Sequence, residues 1–294
     1  MRLLVHGTDT AVTAEPDPET GEIVEQRTVG TRVLAKQWLD YGITRKVTKR
    51  SVMTLPYGSK QFGFTDQLLD DIIGPAIQKH GQDVFPYPRD AATFMAKLIW
   101  DALQTTVVAA VGAMSWLQKA ASALTSQDMP AHWVTPIGFP VWQEYRQPEM
   151  KRIDTIICGT IRVQMKVALT GQMEDTGKNK LDRHKQVNAI SPNFVHSMDA
   201  SHLMETALAA KAQGVSHFAM IHDSFGTCPG NAGTMFRVVR ETMVATYSSR
   251  DVIREFYETF CDSLTEEALE KIPELPPKGQ LDLNGILDSK YCFA

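Results

Sequence analysis

The twenty residues from Tyr41 to Lys60 read YGITRKVTKRSVMTLPYGSK, and no other stretch restricts its own fold so tightly. They hold five cations (Arg45, Lys46, Lys49, Arg50, Lys60) and no carboxylate, whereas the whole chain carries a formal net charge of -4. The positive charge is therefore a local stripe. The pattern predicts a helix from about Lys46 to Thr54, which Pro56 disrupts for want of an N–H and by clashing with the preceding turn. Arg45 and Lys49 are four apart and Arg50 is adjacent, so on a helix they share one side. Cations grouped in this way suit a polyanion such as a triphosphate. They equally suit a solvated cationic face, the usual fate of a charge run. Tyr57 offers a ring that can stack on a base, and Gly58 lets a backbone or ligand come close.

Two further windows carry chemistry. Phe218 to Thr227 reads FAMIHDSFGT, a short apolar run leading into His222-Asp223-Ser224. Strand, tight turn, strand is the expected parse, with Asp223 held at a turn between two buried strands. Magnesium takes one or two carboxylates plus phosphate oxygens, which makes such an aspartate a suitable ligand. A turn aspartate hydrogen-bonded to its own backbone is the plainer alternative. Ser191 to Leu203 reads SPNFVHSMDASHL. Pro192 is expected to start a helix with Asn193, His196 and Asp199 or Ala200 near one side. His196 and His202 are six apart, a poor spacing for a metal pair on one helical face.

Taken together, TRKVTKRSVMTLPYGSKQFGF, PNFVHSMDASH and IHDSFGT resemble the motifs of the single-subunit, phage-type RNA polymerases of the T-odd coliphage group. The resemblance runs from about Gly7 to the final residue. It implies an α+β, mainly helical fold: the fingers and part of the palm of a right-hand polymerase, with an inserted β-hairpin, the specificity loop. Fingers would occupy 1–190, with the hairpin at about 145–170. The carboxy-terminal part of the palm, with the HDS motif and the tail, would occupy 191–294. By the same resemblance Arg45 and Lys49 contact the incoming triphosphate, and Tyr57 stacks near the nascent base pair and helps to select ribose. Gly58 lets that ring pack closely, and His196 reaches the product end. Asp223 is the catalytic, magnesium-binding carboxylate, with His222 beside it. The implied activity is DNA-directed RNA synthesis from rNTPs, with Mg2+ as cofactor, in the host bacterial cytoplasm. The implied partners are double-stranded promoter DNA, template DNA and nascent RNA. Charge neutralisation on phosphates and a two-metal clamp are what nucleotidyl transfer requires.

One motif is absent. The family's first catalytic aspartate lies in an Asp-Gly-Ser-x-x-Gly-Ile-Gln-His pattern upstream of the finger helix, and nothing here matches it. Asp66, Asp70 and Asp71 follow that helix instead. The chain therefore looks like the carboxy-terminal portion of a polymerase, and an amino-terminal polymerase portion is an expected partner. A non-catalytic nucleic-acid-binding remnant is the other reading. A DNA polymerase of the related family is disfavoured by the His196 window and by the hairpin.

That hairpin lies in KRIDTIICGTIRVQMKV, with Gly159 near its middle and polar side chains on one face. Around it stand Arg146, Lys151, Arg152, Arg162 and Lys166 against Glu149 and Asp154. The resemblance makes Arg152, Asp154, Arg162 and Gln164 the base readers, residue types that pair with guanine, adenine or cytosine edges. A merely exposed hairpin is the alternative. The family's variation at the Asp154 position means that a promoter is read without showing which one.

The rest of the sequence is ordinary globular material, 43% apolar and 22% charged. Four scattered cysteines (Cys158, Cys228, Cys261, Cys292) lack zinc or disulfide spacing and suit a reducing compartment. No apolar run is long enough to cross a bilayer, so no membrane partner is expected. Two β-prone runs flank PDPETGE within 8–30 and predict a hairpin. A short helix is expected over Thr31–Tyr41 around Leu34, Trp38 and Leu39. Ser59–His80 should continue helically on Leu68, Leu69, Ile72 and Ile73. Asp90–Leu124 should be one long core helical stretch. From Asp251 to Glu274 eight carboxylates face two cations, which predicts a solvated helical face. The final Tyr291-Cys292-Phe293-Ala294 resembles the family's aromatic carboxy terminus, which packs close to the active site.

Overall fold

The computed structural model describes residues 7–16, 23–148, 150–168 and 179–292, and the chain divides into two compact units, 1–111 and 112–294. The expected PDPETGE turn, Glu149 and the Phe293-Ala294 end lie wholly or largely outside the described residues.

The first unit opens with strands β1 (Thr10–Pro16) and β2 (Ile23–Val29), paired antiparallel from Thr10↔Val29 to Pro16↔Ile23. Helix α1 (Thr31–Tyr41) buries Leu34, Ala35 and Trp38. Leu39, expected in that stripe, is 46% exposed, because it follows Trp38 by one residue and so turns about 100° away. Trp38 donates from Nε1 to the Ala91 carbonyl at 2.8 Å and meets Phe85 edge-on, which ties α1 to the next long helix. Helix α2 (Arg45–Thr54) buries only Val47 and Ser51 and leaves its cations in solvent. Helix α3 (Gln61–Leu68) passes into a five-residue π turn (Leu69–Ile73) and then into α4 (Gly74–His80). Pro75 has no N–H for the carbonyl of Asp71, and the helix widens just before it. Leu68, Ile72 and Ile73 are buried as expected, while Leu69 is only partly so.

The long helix expected over Asp90–Leu124 is two helices, α5 (Pro88–Thr106) and α6 (Val108–Ser126). Val107 breaks the run with φ -113 and ψ 46. Thr105, Thr106, Val107 and Val108 form a β-branched series whose side chains crowd the preceding turn, so propensity is weakest at the break. Val108, just past the break and inside the stretch expected to be core, is 61% exposed.

In the second unit, Trp116, Leu117, Leu124 and Trp133 join Ile190, Phe194, Met198, Phe256 and Phe260 in one core. Strands β3 (Ala131–Val134) and β4 (Pro140–Gln143) form one hairpin, and β5 (Met150–Ile157) and β6 (Ile161–Ala168) a second. Helix α7 (Arg183–Ala212) is 30 residues long, and Asp182 caps it by accepting from the Lys185 N–H at 3.1 Å. Pro192 was expected to start a helix. It lies inside α7 instead, because Ile190, Ser191, Phe194 and Met198 on either side of it are all buried. That burial outweighs the roughly 3 kcal/mol an internal proline costs.

Strands β7 (Phe218–Ile221) and β8 (Ser224–Thr227) form the hairpin of the HDS motif, paired from Phe218↔Thr227 to Ile221↔Ser224. Helix α8 (Ala232–Ser249) packs along α7 and buries Met235, Val238 and Val239 with Ala210 and Val215. The acidic stretch is not one helix. It comprises α9 (Val252–Glu258), a short 3-10 turn and α10 (Glu266–Leu269). Phe256, Phe260, Leu264 and Ala268 face the core, while Glu258, Glu266, Glu267, Glu270 and Glu274 are exposed. A last short helix, α11 (Gly285–Asp288), lies against α8. Among the described residues, no single helix is long and apolar enough to cross a membrane.

Candidate functional site

The cationic side of α2 forms one wall of a cleft of about 650 Å³ within the first unit. Lys46, Lys49, Arg50, Met53 and Tyr57 line it on one side, and Asp70, Asp71, Ile72 and Pro75 on the other. The buried stripe Val47–Ser51–Leu55 fixes the rotation of α2, so the i, i+3 and i+4 neighbours Lys46, Lys49, Arg50 and Met53 must face out together. Of the expected triphosphate contacts, Lys49 lines the cleft. Arg45 is exposed at the start of α2 and is not among the lining residues. Arg50 is paired across the cleft, donating to Asp71 at 2.7 Å, a bond that holds its guanidinium charged even above the usual arginine range. Nothing in the local spacing shows that partner, 21 residues away.

Tyr57 stands on this cleft because of how α2 ends. Gly58 takes φ +86, a conformation costly for other residues, and its N–H returns to the Leu55 carbonyl at 2.9 Å. Ser59 closes onto Thr54 at 3.2 Å. The Gln67 amide then donates to Thr54 Oγ1 at 3.1 Å and to Ser59 Oγ at 3.4 Å, bracing the turn from α3. Gln67 is a supporting residue that sequence reasoning passed over.

In the second unit, the turn of the β7–β8 hairpin presents His222 and Asp223 to solvent. The two strands are not buried as expected: Ile221 is 72% exposed, and among the described residues two strands make this sheet. His222 has φ +52, the left-handed region that non-glycine residues rarely occupy. Its Nδ1 lies 3.9 Å from Asp199 Oδ2 on α7, one turn past His196. Two of the sequence windows therefore meet here. Asp199 entered the sequence reading only as a neighbour of His196 on the helix. Asp199 also faces Tyr247 of α8, whose phenol is pushed up by burial and further by the Glu205 and Asp199 carboxylates. His196 is exposed, whereas His202 is buried, with Nε2 2.9 Å from the Val239 carbonyl. A cleft of about 700 Å³ opens beside Asp223, lined by Phe225, Met235, Val239, Arg240 and Cys292 among others.

The donor set at Asp223 is sparse. Among the described residues no group of three or more histidine, cysteine or carboxylate side chains could hold a metal ion. A magnesium ion needs a well-charged site before it gives up water. The described residues supply one carboxylate at the hairpin tip and do not by themselves build a magnesium centre.

The β5–β6 hairpin sorts its side chains by strand alternation. The pairs Arg152↔Lys166, Asp154↔Gln164 and Ile156↔Arg162 fall on one face. Ile153↔Met165 and Thr155↔Val163 fall on the other. All four expected base readers thus share one exposed face. Cys158 and Gly159 at the tip both take positive φ, which matches the right-handed twist of the strands. The base of the hairpin is held by Arg146. It donates from Nε to Glu144 at 2.6 Å, and from a terminal nitrogen to Asp128 at 3.2 Å and to the Asn179 carbonyl at 2.5 Å. Asp128, at φ +54 just past α6, also accepts from the Leu181 N–H at 2.7 Å.

The described residues thus present a helix with exposed cations in the first unit and, in the second, a carboxylate-bearing hairpin turn beside a histidine-bearing helix and a hairpin with exposed polar side chains. A family model described as DNA-dependent RNA polymerase matches residues 18–271, and the chain belongs to that family. It is 50% identical to the DNA-directed RNA polymerase of Enterobacteria phage T3 and 49% identical to the T7 RNA polymerase of Escherichia phage T7. Each match covers 99% of this chain and 34% of the relative. The mitochondrial DNA-directed RNA polymerase 1 of Nicotiana sylvestris is 34% identical over 85% of this chain and 23% of its own length. The chain therefore spans about a third of the length of the phage relatives it matches.

Proposed function

We propose that this chain is the carboxy-terminal, nucleotide-handling and promoter-reading portion of a phage DNA-directed RNA polymerase. In this reading the fingers comprise 1–190, with the specificity hairpin at about 145–170, and the carboxy-terminal palm comprises 191–294. Lys49 and Arg45 meet the triphosphate of the incoming rNTP, and Tyr57 packs at the nascent pair on the support of Gly58. Asp223 contributes one magnesium carboxylate, with His222 beside it and His196 toward the RNA end. Bound magnesium would supply charge neutralisation and activation of the attacking oxygen. Arg152, Asp154, Arg162 and Gln164 read promoter bases. The chain works in the host cytoplasm together with the amino-terminal polymerase portion that carries the other catalytic aspartate.

The observation that carries this reading is the strained His222-Asp223 turn facing Asp199 on the His196 helix, in a chain of this family. The absence of a group of three or more metal-binding side chains among the described residues favours a second reading, a nucleic-acid-binding remnant without catalysis. Run-off transcription from a phage promoter separates the two. The chain alone should give no transcript. Mixed or co-expressed with an amino-terminal phage polymerase portion it should give full-length RNA, and Asp223→Asn should abolish that product without preventing assembly. No RNA from the wild-type mixture would favour the remnant. RNA from the chain alone would refute the need for a partner.

A further inference from the structure

A guanidinium lies almost wholly out of solvent beside the Asp223 cleft, and no role above uses it. Arg240, in the middle of α8, is 1% exposed. Its guanidinium carbon sits 3.4 Å over the centre of the Phe236 ring, one turn earlier on the same helix. One terminal nitrogen donates to the Phe236 carbonyl at 2.8 Å, and Nε donates to the Ser289 carbonyl at 3.2 Å. Ser289 ends α11, the short helix that leads into the last described residues. A four-residue helix has too few internal hydrogen bonds to hold itself, so its position depends on what it is tied to. The bond from Arg240 to Ser289 is one such tie, reaching 49 residues along the chain.

We propose that Arg240 is a positioning residue that seats the Gly285–Cys292 segment as the wall of the cleft at whose mouth Asp223 stands. Arg240, Cys292 and Asp223 line the same cavity. Phe225, Met235, Phe236 and Val239 supply apolar side chains to its lining, and Arg240 is the cation among the lining residues. Arginine suits the task because its planar group can lie flat on an aromatic ring while its edge donates to two carbonyls. Lysine, a point charge on a flexible stem, cannot reproduce that fork. When the wall shifts, the space beside the Asp223 turn changes shape while the triphosphate-binding cations, on other elements, are untouched.

This role rests on the polymerase reading for its effect on catalysis, and its structural half can be measured without activity. Hydrogen exchange is followed in the full 294-residue chain for the wild type, Arg240→Met and Arg240→Lys. Both variants are expected to lose roughly tenfold or more of the amide protection in 285–292, with 232–249 unchanged. Unchanged protection in 285–292, or an even loss across 232–249, would overturn the proposal. In the assembled, transcribing enzyme both variants should lower kcat for nucleotide addition by about tenfold and leave the rNTP KM within about twofold. A KM effect at constant kcat, or wild-type kinetics in a variant whose segment has come loose, would also overturn it. Failure of the wild-type assembly to transcribe would strike the polymerase reading alone and leave the exchange result standing.

Discussion

Replacing Arg146 by methionine should loosen the β5–β6 hairpin at its root while leaving the strands themselves intact. The methionine keeps most of the apolar stem and removes three polar contacts, to Glu144, Asp128 and the Asn179 carbonyl. Buried hydrogen bonds to charged groups contribute about 1.5–3 kcal/mol each. These are worth less, because the Asp128 side chain is 48% and that of Glu144 31% exposed, and exposed pairs fall below about 1 kcal/mol. The clamp as a whole then contributes roughly 1–3 kcal/mol, which corresponds to a rise in local opening of about fivefold to somewhat over a hundredfold. Amide exchange at 145–147 and 179–182 reads that opening directly, since Gln147 N–H meets the Lys180 carbonyl and Asp182 N–H the Tyr145 carbonyl. In the assembled polymerase, promoter-directed initiation should fall several-fold while elongation from a promoter-free tailed template is unchanged. Unaltered exchange would refute the clamp, and equal losses on both templates would refute its specificity for the hairpin. Acidity offers a second handle. The Leu181 N–H, and then Arg146, hold the Asp128 carboxyl below the usual range, and the Trp142 indole N–H and Arg146 do the same for Glu144. Depressed carboxylates stabilise above their unfolded pKa and lose that contribution as pH falls through the folded value. Protection should therefore be flat near neutrality and drop only in acid below the ordinary carboxylate range.

Three further outcomes are expected. Tyr57→Phe in the assembled enzyme should keep elongation but lower the preference for rNTP over dNTP by about tenfold, measured by steady-state incorporation, and an unchanged ratio would remove the hydroxyl from sugar selection. Asp154→Asn should alter the preferred base at one promoter position by about 1–3 kcal/mol, scored against a promoter library, whereas a uniform loss would mark Asp154 as structural. Gly226→Ala places a methyl 2.8 Å from the Ala219 carbonyl across the β7–β8 pair, so the strands must part. A destabilisation of the hairpin of about 1–3 kcal/mol should appear as faster amide exchange over 218–227, and unchanged exchange there would show that the strands absorb the methyl.

The elements with a clean period were legible in the sequence. Helix α1 spans the expected residues, α2 starts one residue early, and both hairpins at the chemistry-bearing windows form where their turns predict. Pro192 misled because local propensity cannot register that Ile190 and Phe194 anchor one core on either side of it. Val107 misled in the opposite sense, since apolar content continues across a break in backbone dihedrals. The α2 cations were visible as a stripe, but the capture of Arg50 by Asp71 depends on the packing of α3 and the π turn. The closeness of His222 to Asp199 likewise needs two elements brought together from 23 residues apart. One-dimensional spacing sees neighbours on one helix or strand, and these are partners across elements.

The left-handed backbone at His222 has a cost that a glycine there would avoid, on the order of 1–2 kcal/mol. A library of this domain sorted for heat resistance would therefore enrich glycine at 222 and discard the imidazole beside Asp223. On the role proposed for His222, robustness and chemistry pull in opposite directions at this one residue, so a thermostabilised version of the chain should be built from changes elsewhere.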